Sequence, residues 1–428
     1  MLTALEQRVL DHIDLDGLIS TLQVLIAQPS LGGSQAEYTV QQVAADELAA
    51  QGLRAEITAL DLPMLYAHPD FPGYEVERRA ALHVQAALDG VGGGRDLVLN
   101  GHLDVVPVGD VASWRHGPWD GVVEAGRIYG RGACDMKGGV ASIIHAAGAI
   151  ARSGVRLRGS LLVQTVIGEE DGGLGSFAAA LRGPPADGVI IAEPTRLQPV
   201  LAQAGALTFQ LRVTGRAAHG AMRAEGVSAF DAYLPLHQAL QTLERARNID
   251  VTHPLMRQVP LPYPISVGLI QAGEWASTVP ETLIAQGRYG VLVGEEIAMA
   301  RGVLERAIAE AVANDRWLSE HPPDITWWGG QFASAQIAAD HGLVQTLKAV
   351  LEDEGRSSAP IGVPYGSDMR LLQHVGRTPT LLWGPGDVRL AHQRDESVPI
   401  ADLVAAARAF ALTALRFCGY EESGVSSQ

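Results

Sequence analysis

Apolar residues recur at helical spacing over 18–26 and again over 37–53, with Pro29 and a Leu-Gly-Gly-Ser loop between them. The stretch AALHVQAAL (80–88) reads as a strand. After glycine-rich 90–94, DLVLNGHLDVVP (96–107) carries an apolar core at 97–99, as a buried strand requires. A helix is predicted over 138–154, stopped by Gly154, then a strand over 159–170, a helix over 175–183 and a strand over 188–195, stopped by proline. Strand, helix, strand, helix, strand in this rhythm predicts an α/β fold with a mostly parallel sheet. The polar clusters fall at strand ends, and ligands of such sheets gather beyond the carboxyl ends of the strands.

The pattern changes near residue 200. Residues 206–215 alternate as a half-exposed strand does. A helix (227–247), two strands (264–271, 282–293), a helix (295–314) and a short strand (324–328) follow. This β-α-β-β-α-β order is that of a ferredoxin-like α+β layer. A helix over 341–354, a strand over 380–384 and a last helix over 399–417 restore the earlier character. The expected organisation is a catalytic domain in two parts, 1–204 and 331–428, interrupted by an insert, 205–330. The closing EESGVSSQ is expected to fray.

Composition narrows the function. The 428 residues are 47% hydrophobic and 19% charged, which suits a folded chain with ample core. A formal charge of −16 argues against a nucleic-acid partner, because phosphate binding needs a basic face. Two cysteines, Cys134 and Cys418, cannot build a disulfide framework or a zinc ribbon, and a reducing compartment is the default. The start of the chain is acidic and amphipathic, unlike a signal peptide. No segment approaches the ~18 uninterrupted apolar residues of a membrane helix. A cytoplasmic protein with no membrane partner is expected. GVGGG (90–94) lacks the spacing of a dinucleotide loop and precedes a strand, so it carries no nucleotide site.

Acids and histidines stand at or just past the strand ends: His102 in NGHLDVV, Asp135 in ACDMKGG, Glu169 and Glu170 in GEEDGG, Glu193 in IAEPT and His392 in LAHQRDE. Glu169 and Glu193 each end an apolar run. Burying carboxylates there is costly unless a cation or hydrogen bonds compensate. Several such acids with two histidines are what a divalent-metal site requires, and mixed imidazole and carboxylate donors suit zinc, with cobalt or manganese as alternatives.

GHLDVVP, GRGACDMKGG, GEEDGG, IAEPT, GRAAHG and AHQRDESVP occur in this order. Together they resemble the family of acetylornithine deacetylases, succinyl-diaminopimelate desuccinylases and zinc aminoacylases or carboxypeptidases, across nearly the whole chain. The resemblance implies a zinc-binding catalytic domain with an inserted lid that usually dimerises, and two Zn2+ per subunit. It implies that His102 and Glu193 hold one metal, Glu170 and His392 the other, and that Asp135 bridges both, with a cis peptide between Asp135 and Met136. Glu169 matches the general base. Asp104, two residues after His102, is placed to accept that histidine's other N–H. His219 in GRAAHG matches a lid histidine that reaches the partner subunit's active site.

The substrate is less defined. Arg288 ends a lid strand and either pairs with a substrate carboxylate or is a solvated strand arginine. Gly366 and Ser367 in PYGSD fall where the family shapes its pocket and could offer backbone and hydroxyl donors. Ser277 stands where many relatives have asparagine, a departure from the desuccinylases. Relatives that act as aminopeptidases tend to have Asp at the position of Glu193. Both features resemble the acetylornithine-deacetylase-type branch. Cys134 reads as a small packing residue or an oxidisable neighbour of Asp135. The expected activity is removal of an acyl group from an N-acyl amino acid or similar small N-acyl amine. The alternatives are a metallo-dipeptidase or carboxypeptidase, and a non-catalytic binding protein that keeps the fold.

Overall fold

Every residue of the strand Leu97–His102 is buried, as its apolar start demands. It pairs in parallel with Leu161–Val166 on one side and with Gly188–Ile191 on the other, and Gly188–Ile191 pairs in parallel with Thr380–Leu382. These strands are the parallel core of a mixed sheet in a computed structural model that describes residues 2–183 and 185–422. Leu82–Leu88 adds antiparallel to Leu161–Val166, and Ala55–Ala59 adds antiparallel to Leu82–Leu88. The expected mixed α/β architecture with a mostly parallel centre is present. Its antiparallel margin is an addition.

Two glycines let a helix close on this sheet. A Cβ at Gly101 would stand 2.7 Å from Val140 Cγ2, and one at Gly139 would stand 2.1 Å from Ala192 O. The helix Gly138–Ser153 therefore lies against the strands and starts beside the end of Gly188–Ile191. Gly154, at φ 73°, stops it as the sequence predicts. The last helix, Ile400–Cys418, packs alongside, and Ser142 Oγ donates to Leu403 O at 3.2 Å.

The chain divides into two compact units. One comprises Met1–Leu201, Gln336–Ile361 and Ser367–Gln428, and the other comprises Ala202–Ala335 with Gly362–Gly366. The second unit holds the strands Gly205–Thr214, Ile265–Ala272, Thr282–Val291 and Asp324–Phe332, all paired antiparallel, with Ile265–Ala272 at one edge. Helices Ala229–Ile249 and Ile297–Ala313 complete the β-α-β-β-α-β order. Leu207, Phe209, Leu211 and Val213 alternate inward from the first strand and share a core with Leu236 and Leu304.

Short elements escaped the sequence pattern. Val122–Glu124, Arg127–Tyr129 and Ser397–Pro399 form a small sheet of three-residue strands, too short to show a period. The expected frayed tail is corrected in part. Tyr420–Glu422 pairs with Val155–Leu157, while residues 423–428 lie outside the described residues. Among the described residues, no helix is long and apolar enough to cross a membrane.

Candidate active site

Parallel strands that end at one edge bring their carboxyl ends together. His102 is the last residue of its strand. Glu169 and Glu170 follow Leu161–Val166, and Glu193 follows Gly188–Ile191. Asp135 comes from the turn that starts the helix Gly138–Ser153, and His392 from a loop where its backbone is left-handed, φ 59°. All belong to the first unit.

Asp135 stands between the two histidines. Its Oδ1 is 3.1 Å from His102 Nε2, and its Oδ2 is 3.6 Å from His392 Nε2. His392 Nε2 is also 3.1 Å from the Glu170 carboxylate. Ligand atoms of His102, Asp135 and Glu170 all lie within 4.8 Å of one another, as do those of His102, Glu169 and Glu193. The peptide between Asp135 and Met136 is cis, as the family resemblance implies.

Residues that the sequence did not single out hold this turn. Glu396 Oε1 accepts from Cys134 N at 2.9 Å and from Asp135 N at 3.0 Å, and its Oε2 accepts from Arg131 Nη1 at 2.6 Å. Glu396 and Arg131 are both buried, so the pair ties the GRGACD and HQRDE stretches together where water cannot compete. Lys137 Nζ donates to Leu25 O at 2.9 Å and Gln28 O at 2.8 Å, at the end of the helix Leu15–Ile26. Burial pushes its ammonium down to about 7. Cys134 is wholly buried, and burial with the neighbouring carboxylates of Glu396 and Asp135 pushes its thiol well up. It is a packing residue, not an exposed thiolate.

Asp104 differs in detail from expectation. The group that meets His102 Nδ1 is the Asp104 carbonyl oxygen at 3.0 Å. The carboxylate Oδ1 is 3.6 Å away, beyond a hydrogen bond. The carboxylate instead accepts from Glu169 N at 3.3 Å and Glu170 N at 3.1 Å, and so fixes the paired glutamates. Behind them, Asp171 and Glu37 share the buried guanidinium of Arg78, each with an oxygen 2.7 Å from Nη2. Asp171 extends the visible GEED run, but Arg78 and Glu37 gave no signal, since nothing local marks residues that meet only in the fold.

The electrostatics call for a cation. Burial and the carboxylates of Asp368 and Glu193 push Glu169 well above the usual range, and burial and Asp135 do the same to Glu193. Burial and Asp135 also raise Glu170. The Glu170 carboxylate, outweighing burial, pushes His392 up to about 9. Burial opposes a charge on His102, yet its carboxylate neighbours hold it well above the ordinary range. His102 Nδ1 faces a carbonyl oxygen and so carries a proton. Nε2 then turns a lone pair on Asp135 unless a second proton or a metal lies between. Divalent cations relieve both the crowded carboxylates and this lone-pair clash, so the donor set fits a metal site.

The substrate-side expectations fare differently. Ser367 is 1% exposed, and its Oγ accepts from Met369 N at 3.2 Å, at the start of the helix Met369–His374. The Ser367 oxygen thus serves the start of that helix as an acceptor. Arg370 Nη1 donates to Ser367 O at 2.8 Å, and Nη2 donates to Gly172 O at 2.7 Å. Asp368, beside Ser367, is a buried carboxylate that sequence reasoning passed over, 3.6 Å from Arg370 Nη1.

Arg288, Gly366 and His219 belong to the second unit. Arg288 is half-buried, and its Nη2 donates to Pro364 O at 2.7 Å, so it is not a solvated strand arginine. A Cβ at Gly366 would stand 2.7 Å from Phe332 Cβ, a packing reason for glycine. His219 is exposed, and its Nδ1 accepts from Ala221 N at 3.1 Å. The proton of a neutral ring then sits on Nε2.

Residues 98–416 match the profile of Peptidase family M20/M25/M40. The chain is 29% identical over 347 residues to the N-formyl-4-amino-5-aminomethyl-2-methylpyrimidine deformylase of Halalkalibacterium halodurans, covering 72% of this chain and 76% of that one. It is 29% identical over 362 residues to the acetylornithine deacetylase of Myxococcus xanthus, covering 81% and 89%. A di-peptidase from Saccharomyces cerevisiae shares the fold at a TM-score of 0.76 over 96% of this chain and 98% of that one, at 15% identity. A Staphylococcus aureus tripeptidase does so at 0.71 over 94% and 99%, at 18% identity. A family match across three quarters of the chain, with the acids and histidines of its motifs gathered at one sheet edge, makes this chain a member of peptidase family M20/M25/M40, a hydrolase of amide bonds.

Proposed function

We propose that this hydrolase is an N-deacylase that removes an acyl group from an N-acyl amino acid or related small N-acyl amine. The observation that carries the reading is Asp135, with one oxygen toward each histidine and Glu169 beside the same cluster. His102 and Glu193 would hold one divalent cation, Glu170 and His392 a second, and Asp135 both, with zinc favoured by the mixed donors and cobalt or manganese as substitutes. Bound there, such cations supply Lewis acidity for the carbonyl and lower the pKa of water.

Glu169 takes the proton of the attacking water and delivers it to the leaving amine. Burial and its carboxylate neighbours raise its proton affinity, which suits a group that must accept a proton and then give it up. Asp104 keeps Glu169 in place through its backbone N–H and keeps His102 in one tautomer through a carbonyl. His219, with Nε2–H outward, is the proposed donor to the developing oxyanion, acting across a homodimer. The edge strand Ile265–Ala272, with Leu269 and Ile270 exposed, supports such pairing through the lid. Two buried free cysteines suit the cytoplasm.

The relatives named as deacetylase and deformylase favour small N-acyl amines. The di-peptidase and tripeptidase likenesses support the second reading, a metallo-dipeptidase. Metal content, measured with hydrolysis of N-acetyl, N-formyl and N-succinyl amino acids and dipeptides, separates the two. Chelator-sensitive release of one acyl class supports the deacylase. Preference for dipeptides moves the chain to the peptidases, and absence of metal overturns both.

A further inference from the structure

We propose that Arg78 is a positioning residue of the active site: its guanidinium holds both ends of the turn that carries Glu169 and Glu170. This role rests on Glu169 acting as the base and Glu170 as a metal ligand. The turn has little stiffness of its own. Gly168 precedes the two glutamates at φ 74°, and Gly172 and Gly173 follow Asp171 at φ 149° and 91°. Glycine restricts the backbone least, so the orientation of the two carboxylates has to be imposed by neighbouring groups.

Asp104 holds the middle of the turn through the N–H groups of both glutamates. Arg78 holds the ends. A Cβ at Gly168 would stand 3.2 Å from Arg78 Cζ and Nη2, so the guanidinium lies against the residue before Glu169. Its Nη1 donates to Asp171 Oδ2 at 2.9 Å and its Nη2 donates to Asp171 Oδ1 at 2.7 Å, on the residue after Glu170. The guanidinium is itself fixed. Nε donates to Glu37 Oε2 at 2.9 Å, Nη2 donates to Glu37 Oε1 at 2.7 Å, and Gly33 N donates to the same Oε2 at 2.8 Å. Arg78, Glu37 and Asp171 are all buried, so water competes little for these charge-assisted bonds. Lysine would keep the charge, but one ammonium cannot fork to two carboxylates in a plane. Moving the guanidinium therefore moves the turn at both ends, and the two glutamates with it.

The test compares the full-length, cobalt-loaded parent with Arg78→Lys by visible absorption, chelator competition and steady-state kinetics on the best N-acyl substrate. The cobalt bands report the geometry of the ligands around the ion, which a loss of stability alone does not alter. Arg78→Lys is expected to shift those bands and to bind cobalt roughly 10–100-fold more weakly. It is also expected to lose on the order of 10²-fold in kcat with KM little changed, as a displaced base requires. Asp171→Asn, which keeps Arg78 and one acceptor oxygen, is expected to shift the bands in the same way, and it decides the matter where Arg78→Lys is not recovered folded. Parent-like bands and cobalt affinity in the folded variant overturn the positioning role and leave Arg78 a structural ion pair. A parent that takes up no cobalt overturns the assignment of Glu170 as a ligand, and the role of Arg78 with it, so the two failures are told apart.

Discussion

Asp135 addresses two histidines at once: Oδ1 lies 3.1 Å from His102 Nε2 and Oδ2 lies 3.6 Å from His392 Nε2. A side chain that only closed a glycine turn would need neither partner. Asp135→Asn keeps the shape and loses the charge. Its metal affinity is expected to fall by more than the roughly 10–100-fold typical of losing an outer partner, with turnover lost alongside. Metal analysis after dialysis checks this, and unchanged metal content would remove Asp135 from the ligands.

Glu169→Gln is expected to keep fold and metal while turnover falls on the order of 10²–10⁴-fold. Steady-state rates and metal content on the same preparation decide it. Near-full activity would place the base elsewhere.

Glu396→Gln should act on the metal without touching it. Its carboxylate holds the backbone N–H groups of Cys134 and Asp135 and neutralises buried Arg131. The variant is expected to bind metal roughly 10–100-fold more weakly. It should also lose stability on the order of 3 kcal/mol, because Arg131 stays buried with its charge uncompensated. Chelator competition and urea unfolding read the two effects separately. Normal affinity in a destabilised protein would limit Glu396 to a structural role.

His145 and His83 give a pH dependence with a definite sign. Burial, aided by Arg152 and Arg182 respectively, pushes each from the ordinary 6.5 down to about 4. Above pH 6.5 both are neutral whether folded or unfolded, and their contribution to stability is complete. As pH falls from 6.5 toward 4 the unfolded chain takes up protons and the folded one does not. Stability then drops by about 1.4 kcal/mol per pH unit for each histidine. The loss in urea midpoint between pH 7 and pH 5.5 is expected to be smaller in His145→Gln than in the parent. Equal losses would mean that His145 titrates normally in the fold.

His219→Ala is expected to lower turnover while leaving metal content unchanged. Mixing its subunits with Glu169→Gln subunits is expected to recover activity, because one site of the mixed dimer would then hold both intact residues. Failure to recover activity after verified subunit exchange would argue against a site shared between copies.

The sequence by itself determined the rhythm of the longer elements and the acids and histidines that meet at one sheet edge. The apolar run at 97–99, the helical spacing after Gly138 and the alternation over 206–215 are local patterns, and each matches an observed element. His102, Asp135, Glu169, Glu170, Glu193 and His392 were legible because each sits in a short motif at a strand end, and parallel strands carry their ends to one edge. Only the tertiary structure decided what supports them. Glu396 reaches Asp135 across 261 positions of sequence, and Arg78 reaches Asp171 across 93. It also showed that the Asp104 carboxylate serves the glutamates' backbone rather than His102, and that the Ser367 oxygen accepts from Met369 N at a helix start. These contacts are set by packing between segments remote in the chain, whereas periodicity and motif spacing record only what neighbours in sequence do.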